Sequence, residues 1–466
     1  MKRTMIVTVA TVAVVLGLGL NIRAEEAEKS AAMKAQPVLD TYSVFRVHFE
    51  QNGMFVKRED GSWWPGKPEG GDAPPASWIA PDFDDSGWPT LPGPFFPKGY
   101  GPRYGFNNRT GVPRSMSMVC LRSRIVVEDP AKVGKMKLTL EYRGGAVVYV
   151  NGEEIARAHL PEGELEPLTL AEPYPEEAYK TPEGKIIRHG WGDPKKYRER
   201  VELRVRRIEN LTIPSRLLRK GSNVLCIRLQ SAPHHALTLV KGRRGKEKFH
   251  AFRSAGEKMG HWLTVGMPSI SVTATGEGVV SALNRPKGLQ VYNQSPFQLV
   301  YDTDFAPSGS TLDPVRICGA RNGPFGGQVV LASDKPIRGL KASMSELRRE
   351  GGGTIPASAV RVLYPQPTLD DPDGQARLPG AWNTPVCFFD SFAEAAPKTV
   401  PVRKKKARYA LREYVFGAVQ PLWIKAQAPA DCEPGTYKGK LTVETEGVDP
   451  VEVPVELRVS EWVVPP

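Results

Sequence analysis

An all-β fold is expected from three features of this sequence. Glycine and proline are abundant, with 45 and 43 copies in 466 residues, which suits many short strands joined by turns. Several segments alternate apolar and polar residues with a period of two. Beyond the N-terminal apolar run, no long segment places apolar residues at the 3.6-residue spacing of an amphipathic helix. The chain is too long for one core, so two or three domains are expected.

The N-terminus reads as a signal peptide over residues 1–24. Lys2 and Arg3 give a positive start, an apolar run extends from Met5 to Leu20, and Ala24 offers a small residue for cleavage. Export to the periplasm, cell surface or medium is therefore expected. An uncleaved anchor is the alternative, because the run is near the lower limit for a membrane span. No second stretch is long enough to cross a membrane. Residues 25–41 are charged and alanine-rich and are expected to form a mobile leader.

A first domain is expected over residues 42–275. Leu138, Leu140 and Tyr142 alternate with Thr139 and Glu141, the pattern of a half-buried strand. Ala146–Val150 runs into Asn151-Gly152, a pair that favours positive φ and closes a two-residue hairpin into Glu153–Ile155. After the turn Gly221-Ser222-Asn223, Val224–Leu229 is almost continuously apolar and predicts a strand covered on both faces. Residues 160–207 break this pattern. They are rich in Pro, Glu, Tyr, Lys and Arg and show little periodicity, so an inserted excursion without regular structure is expected. Its length makes it a candidate for function.

A second domain is expected over residues 288–466. Val329-Val330-Leu331 predicts a short strand, Gly351-Gly352-Gly353 a flexible link, and residues 366–381, with Asp370-Asp371-Pro372-Asp373-Gly374, a polar loop. The clearest strand lies near the end. Val451, Val453, Val455, Leu457 and Val459 share one face, while Glu452, Glu456, Arg458 and Ser460 share the other. Its partner sets Tyr437, Leu441 and Val443 against Lys438, Lys440, Thr442 and Glu444, after a turn at Pro434-Gly435. Pro454 inside the last strand predicts an edge position.

The formal charge is +12. Cleavage after Ala24 would remove Lys2, Arg3 and Arg23 and no acid, leaving 12 − 3 = +9. The cations are spread along the chain, and the one tight run, Arg403-Lys404-Lys405-Lys406, reads as a solvated loop. Nucleic acid is therefore not an expected partner, and export argues the same way. Five cysteines, at 120, 226, 318, 387 and 432, contain no Cys-x-x-Cys pair, so a zinc or redox motif is not expected. Cys120 and Cys226 read either as buried thiols or as a bridge formed in an oxidising compartment.

The first domain resembles the galactose-binding-like jelly roll at the front of glycoside hydrolase family 2 enzymes. Asp82-Phe83-Asp84-Asp85-Ser86-Gly87-Trp88, Ala146–Ala156 and Leu217–Leu225 carry that resemblance in order. The second domain resembles the N-terminal β-sandwich of glycoside hydrolase family 123. Ala428–Gly439, the closing Val459–Pro466 and Ala320-Arg321-Asn322-Gly323 carry it, although the family usually has an acid where this chain has Gly323. In those enzymes a catalytic barrel follows the sandwich. A barrel needs at least about 200 residues, and the sequence leaves no room for one, so the family's catalytic acids have no counterpart here. The resemblance implies a carbohydrate or glycan as partner.

No catalytic residue is expected. Glycoside hydrolysis needs two carboxyls facing across a cleft, about 5 to 9 Å apart. Asp84-Asp85 and Asp370-Asp371 are sequence neighbours, which does not supply that geometry. Asp82-x-Asp84-x-Ser86-Gly87 begins like a calcium loop, but position twelve is Gly93 instead of glutamate, so no metal ligand is assigned. The segment reads instead as a turn planting Phe83 and Trp88 in the sandwich core. A structural calcium of the kind found in such jelly rolls stays open, and no other cofactor is expected. The carbohydrate-binding candidates are Trp63, Trp64, His189 and Trp191, because aromatic rings in polar loops can stack on sugar C–H faces. His234-His235 reads as polar lining. Asn108-Arg109-Thr110 and Asn210-Leu211-Thr212 are short acceptor sequons. The sequence thus predicts an exported accessory part of a glycoside-hydrolase-like protein that binds carbohydrate without cleaving it. The rival readings are the front of a longer hydrolase and a surface scaffold that binds protein.

Overall fold

The computed structural model describes residues 35–51, 56–64, 73–95, 116–187, 193–241, 247–249, 264–283, 285–302, 304–306, 309–367, 389–402 and 417–465. The expected signal peptide, the sequon at Asn108, the Asp370-Asp371 loop, Cys387 and the basic run at 403–406 lie outside these residues. Two β-sandwiches account for nearly all of the described chain. No described helix is long and apolar enough to cross a membrane.

The first sandwich contains β1 (Gln36–Asp40), β2 (Val44–Gln51), β3 (Val56–Lys57), β4 (Trp63–Trp64), β5 (Thr90–Pro92), β6 (Met116–Val127) and β7 (Met136–Arg143). It continues with β8 (Gly145–Val150), β9 (Glu153–Ala158), β10 (Arg206–Ile213), β11 (Gly221–Gln230), β12 (Leu239–Lys241), β13 (Glu247–Phe249) and β14 (Gly266–Ala274). A six-stranded sheet, ordered β5-β2-β6-β11-β8-β9, packs on a four-stranded sheet, ordered β1-β14-β7-β10. The period-two pattern aims Leu121, Ile125, Val148, Leu225 and Ile227 from the first sheet at Leu138, Leu140 and Val272 from the second. Central β11 is covered on both faces, as its apolar run predicts. Asn151 and Gly152 take φ of 50° and 90° between β8 and β9, the backbone of a two-residue hairpin turn.

Two expectations for this half are corrected. Residues 36–40 were expected in a mobile leader. They form β1, which pairs with β14 because Val38 and Leu39 have core to bury. Residues 160–207 were expected to lack structure. They carry two short helices, α1 (Asp193–Lys196) and α2 (Arg198–Glu202), and a small core of Ala171, Tyr174, Ala178, Tyr179, Ile187 and Val201. That core is assembled by tight turns, so it leaves no periodic trace in the sequence. The Ala171 N–H donates to the Ser231 carbonyl at 2.9 Å and ties the excursion to the chain following β11.

The second sandwich contains β15 (Leu289–Asn293), β16 (Val315–Arg321), β17 (Gly323–Ser333), β18 (Ile337–Arg338), β19 (Lys341–Met344), β20 (Leu347–Arg349) and β21 (Thr354–Ile355). It continues with β22 (Val360–Pro367), β23 (Phe389–Ala393), β24 (Thr399–Val400), β25 (Ala418–Ala428), β26 (Gly435–Thr445) and β27 (Val448–Val463). One sheet runs β15-β17-β25-β22-β23. The other runs β16-β27-β26-β20-β21, with β19 also on β26. Leu331, Leu422 and Ile424 meet Leu441, Val443, Val453, Val455 and Leu457 between them.

Here too the structure departs from simple pattern reading. Val329-Val330-Leu331 is the middle of the eleven-residue β17. The three glycines at 351–353, expected as a link, form the tight turn between β20 and β21, with φ of 84°, 107° and 95°. Pro454 lies in an interior strand, because β27 pairs with β26 on one side and β16 on the other. Pairing with β16 begins only at Val455, so the missing N–H of Pro454 breaks no hydrogen bond there.

The turn at Asp84-Asp85 joins the two sandwiches. Asp85 is buried under β6 of the first sandwich, while Asp84 forms an ion pair with Arg316 of β16. Arg46 Nη2 donates to the Asn293 carbonyl at 2.9 Å, and the Thr90 N–H donates to Gln298 Oε1 at 3.1 Å.

Candidate functional site

Strands β3 and β4 form a two-rung hairpin in which Val56 faces Trp64 and Lys57 faces Trp63. Alternation sends the two tryptophans to opposite faces. Trp64 packs with Val56, Ala236 and Leu239 in a small core of its own. Trp63 turns the other way, half-buried, into a cleft of about 510 Å³. The hairpin supplies Lys57, Arg58 and Glu59 to this cleft. The excursion supplies Ala171, Tyr174 and Glu176, and the chain after β11 supplies His234 and His235. Three segments far apart in sequence therefore converge on Trp63.

The polar groups of the cleft are held in place from behind. The Gly144 N–H donates to the Tyr174 hydroxyl at 2.5 Å, and the Arg206 guanidinium lies 4.5 Å over the Tyr174 ring. Arg206 itself donates to the carbonyls of Gly144, Glu172 and Pro173. The His235 ring packs on Tyr179 with centroids 5.3 Å apart, and its Nδ1 accepts the Leu237 N–H at 3.2 Å. Burial, then the Lys180 ammonium, push the His235 pKa down against the opposing pull of Glu59. The ring is neutral at pH 7, with Nδ1 occupied, so Nε2–H is its donor. Glu176 forms an ion pair with Lys180. Such an arrangement offers one aromatic face and several donors and acceptors to a polar ligand.

The residues proposed from sequence fare differently. Trp63 lies in the cleft and Trp64 does not. His189 and Trp191 lie outside the described residues. His234 and His235 line the cleft, while Lys57, Tyr174 and Glu176 were not foreseen. The alternation of Lys57 with Val56 against Trp63-Trp64 was a signal that would have placed Lys57 beside Trp63.

Asp84 and Asp85 do not form a facing carboxyl pair. Asp85 accepts from Arg122 Nε at 2.9 Å and from Arg124 Nη2 at 3.2 Å, and Arg46 Nε lies 3.8 Å away. Asp84 accepts the Ser86 N–H at 3.0 Å and pairs with Arg316. These guanidiniums already supply the positive charge that a calcium ion would bring. Among the described residues no group of three or more His, Cys, Asp or Glu side chains could hold a metal ion. Phe83 and Trp88 were expected in the sandwich core. They sit instead on the outer face of the six-stranded sheet, half-buried in a cluster with buried Trp78, Met118, Cys120, Val224 and Cys226. Trp78 and Trp88 stack with centroids 5.9 Å apart. Cys120 and Cys226 are free thiols. Cys226 faces Arg122 and Cys120 faces Arg228 across β6 and β11, so the two are diagonal neighbours. Burial pushes both thiols up, Cys226 to about 12.

Comparison with curated proteins finds no match. Among solved structures, a family 123 glycoside hydrolase from Clostridium perfringens is similar at 15% identity, over 38% of this chain and 28% of that one, with a TM-score of 0.25. The β-glucuronidase of Lactobacillus rhamnosus is similar at 10% identity, over 91% of this chain and 45% of that one, with a TM-score of 0.23. The β-glucuronidase of Bifidobacterium dentium is similar at 9% identity, over 91% and 49%, with a TM-score of 0.24. The chain spans less than half the length of each. Residues 315–445 match the family model described as the glycoside hydrolase 123 N-terminal domain, so this part of the chain is similar to a domain found in glycoside hydrolases.

Proposed function

We propose that this chain is an exported, non-catalytic part of a glycoside-hydrolase-like system and that it binds carbohydrate in the cleft at Trp63. The observation that carries this reading is the placement of Trp63. Its ring borders a cleft of about 510 Å³ whose other walls bear Lys57, Glu59, Tyr174 and His235. A flat apolar ring beside fixed polar groups suits a sugar, which has an apolar C–H face and a rim of hydroxyls. Export rests on the N-terminal sequence alone.

Calorimetry with a panel of oligosaccharides tests the reading. One stacked sugar gains little free energy, so dissociation constants on the order of micromolar to millimolar are expected. Trp63→Ala should abolish binding while the fold survives. Trp64→Ala should loosen the small core under the hairpin without removing a sugar contact. Absence of binding to every saccharide at millimolar concentration would overturn the reading. The purified chain should also leave aryl glycosides intact. Turnover that one Asp or Glu substitution abolishes would show a catalytic site instead.

A second reading makes these sandwiches the front of a longer glycoside hydrolase. It is favoured by the match to a domain described as N-terminal. The mass of the natural protein decides it, and carbohydrate binding is compatible with either answer.

A further inference from the structure

The charged residues lining the cleft balance in number, Lys57 and Arg58 against Glu59 and Glu176, but they are not equally engaged. Lys57 is exposed, stands directly across from Trp63 on the hairpin, and has no ion-pair partner among the described residues. Arg58 adds a second cation to the lining, against Glu59. Glu176 is neutralised by its own ion pair with Lys180. Beside its aromatic ring the cleft therefore offers one ammonium without an ion-pair partner among the described residues.

We propose that the cleft selects an acidic saccharide, whose ring stacks on Trp63 while its carboxylate or sulfate group lies against Lys57. The inference rests on the carbohydrate-binding reading and deepens it. Cross-strand neighbours on one face of a hairpin have Cβ atoms about 5 Å apart. That is close to the width of a pyranose ring, so one sugar can touch the indole and present an anionic substituent to the ammonium. A neutral sugar would keep the stacking contact and lose the ionic one.

Titration calorimetry on the full chain should compare three probes at low and high salt. They are galactotriose, its uronate counterpart trigalacturonate, and a sulfated chondroitin disaccharide. The expected result is that at least one acidic probe binds about fivefold or more tightly than galactotriose, a margin of the size expected for a partly exposed ion pair. That margin should shrink in high salt. The two acidic probes separate carboxylate from sulfate. Lys57→Gln should remove the margin, weakening the acidic probe more than galactotriose. Lys438→Gln, an exposed cation on the other sandwich, controls for general attraction to a chain of formal charge +12. Equal affinity for neutral and acidic probes would overturn the inference and leave the carbohydrate reading standing. So would an equal loss in Lys57→Gln and Lys438→Gln. If no probe binds, the inference fails, and the wider saccharide panel decides the carbohydrate reading.

Discussion

Asp85 Oδ2 accepts a 2.9 Å hydrogen bond from Arg122 Nε in a site where both side chains are almost completely buried. Arg124 and Arg46 crowd the same carboxylate, so one buried anion serves three guanidiniums. Removing the carboxylate leaves those cations buried and unpaired. Asp85→Ala should therefore destabilise the protein by about 3 to 5 kcal/mol, the usual result of breaking one side of a buried ion pair. Urea denaturation followed by tryptophan fluorescence checks this. A loss below about 1 kcal/mol would mean that water reaches the cluster.

The neighbouring Asp84 predicts a pH dependence. Partial burial pushes its carboxyl up, but hydrogen bonds from Ser86 and the Arg316 guanidinium outweigh that and hold it below its ordinary value. A carboxyl with a depressed folded pKa contributes stability above its unfolded pKa and loses it as pH falls through the folded one. The contact between the sandwiches should weaken on acidification below about pH 4, where a free Asp titrates. Amide hydrogen exchange around Arg316 should rise there, and Asp84→Asn should remove most of that response.

Trp78 and Trp88 offer a test of the outer cluster. Trp78 is only 4% exposed and packs against Trp88, Met118 and the two buried cysteines. Trp78→Ala should cost about 3 to 5 kcal/mol, as a large core truncation does. Trp88→Ala should cost less, because Trp88 is half-buried. The opposite order of thermal midpoints would show that Trp88 anchors the cluster.

Thiol labelling tests the cysteine assignment. Cys318 is exposed, while Cys120 and Cys226 are buried and pushed towards the unreactive thiol form. Cys318 should react with a maleimide in the native protein, and Cys120 and Cys226 only on unfolding. Mass spectrometry of labelled peptides gives the answer. Recovery of a Cys120–Cys226 disulfide peptide would contradict the structure.

The sandwiches were legible because their strands carry a period of two, clearest where Val451 to Val459 line one face of β27. The Asn151-Gly152 turn was legible because only a few residues accept its backbone. The cleft was half legible. Trp63-Trp64 announced an aromatic loop, but which ring faces out depends on the pairing of Lys57 and Val56 across the hairpin. The excursion was misread because Tyr174, Tyr179 and Val201 meet through tertiary folding and obey no local period. Phe83 and Trp88 were misplaced for a related reason. A sheet has two faces, and the sequence of a turn does not say which one its rings will cover.

The pairing of β1 with β14, and of β16 with β27, has a consequence for how the chain is made. In both sandwiches a strand synthesised early is held by one synthesised late. On the ribosome, each early strand must wait with an unpaired edge while the residues between emerge. A translational pause before β27 would prolong that exposure and invite the waiting edge of β16 to pair with another nascent chain.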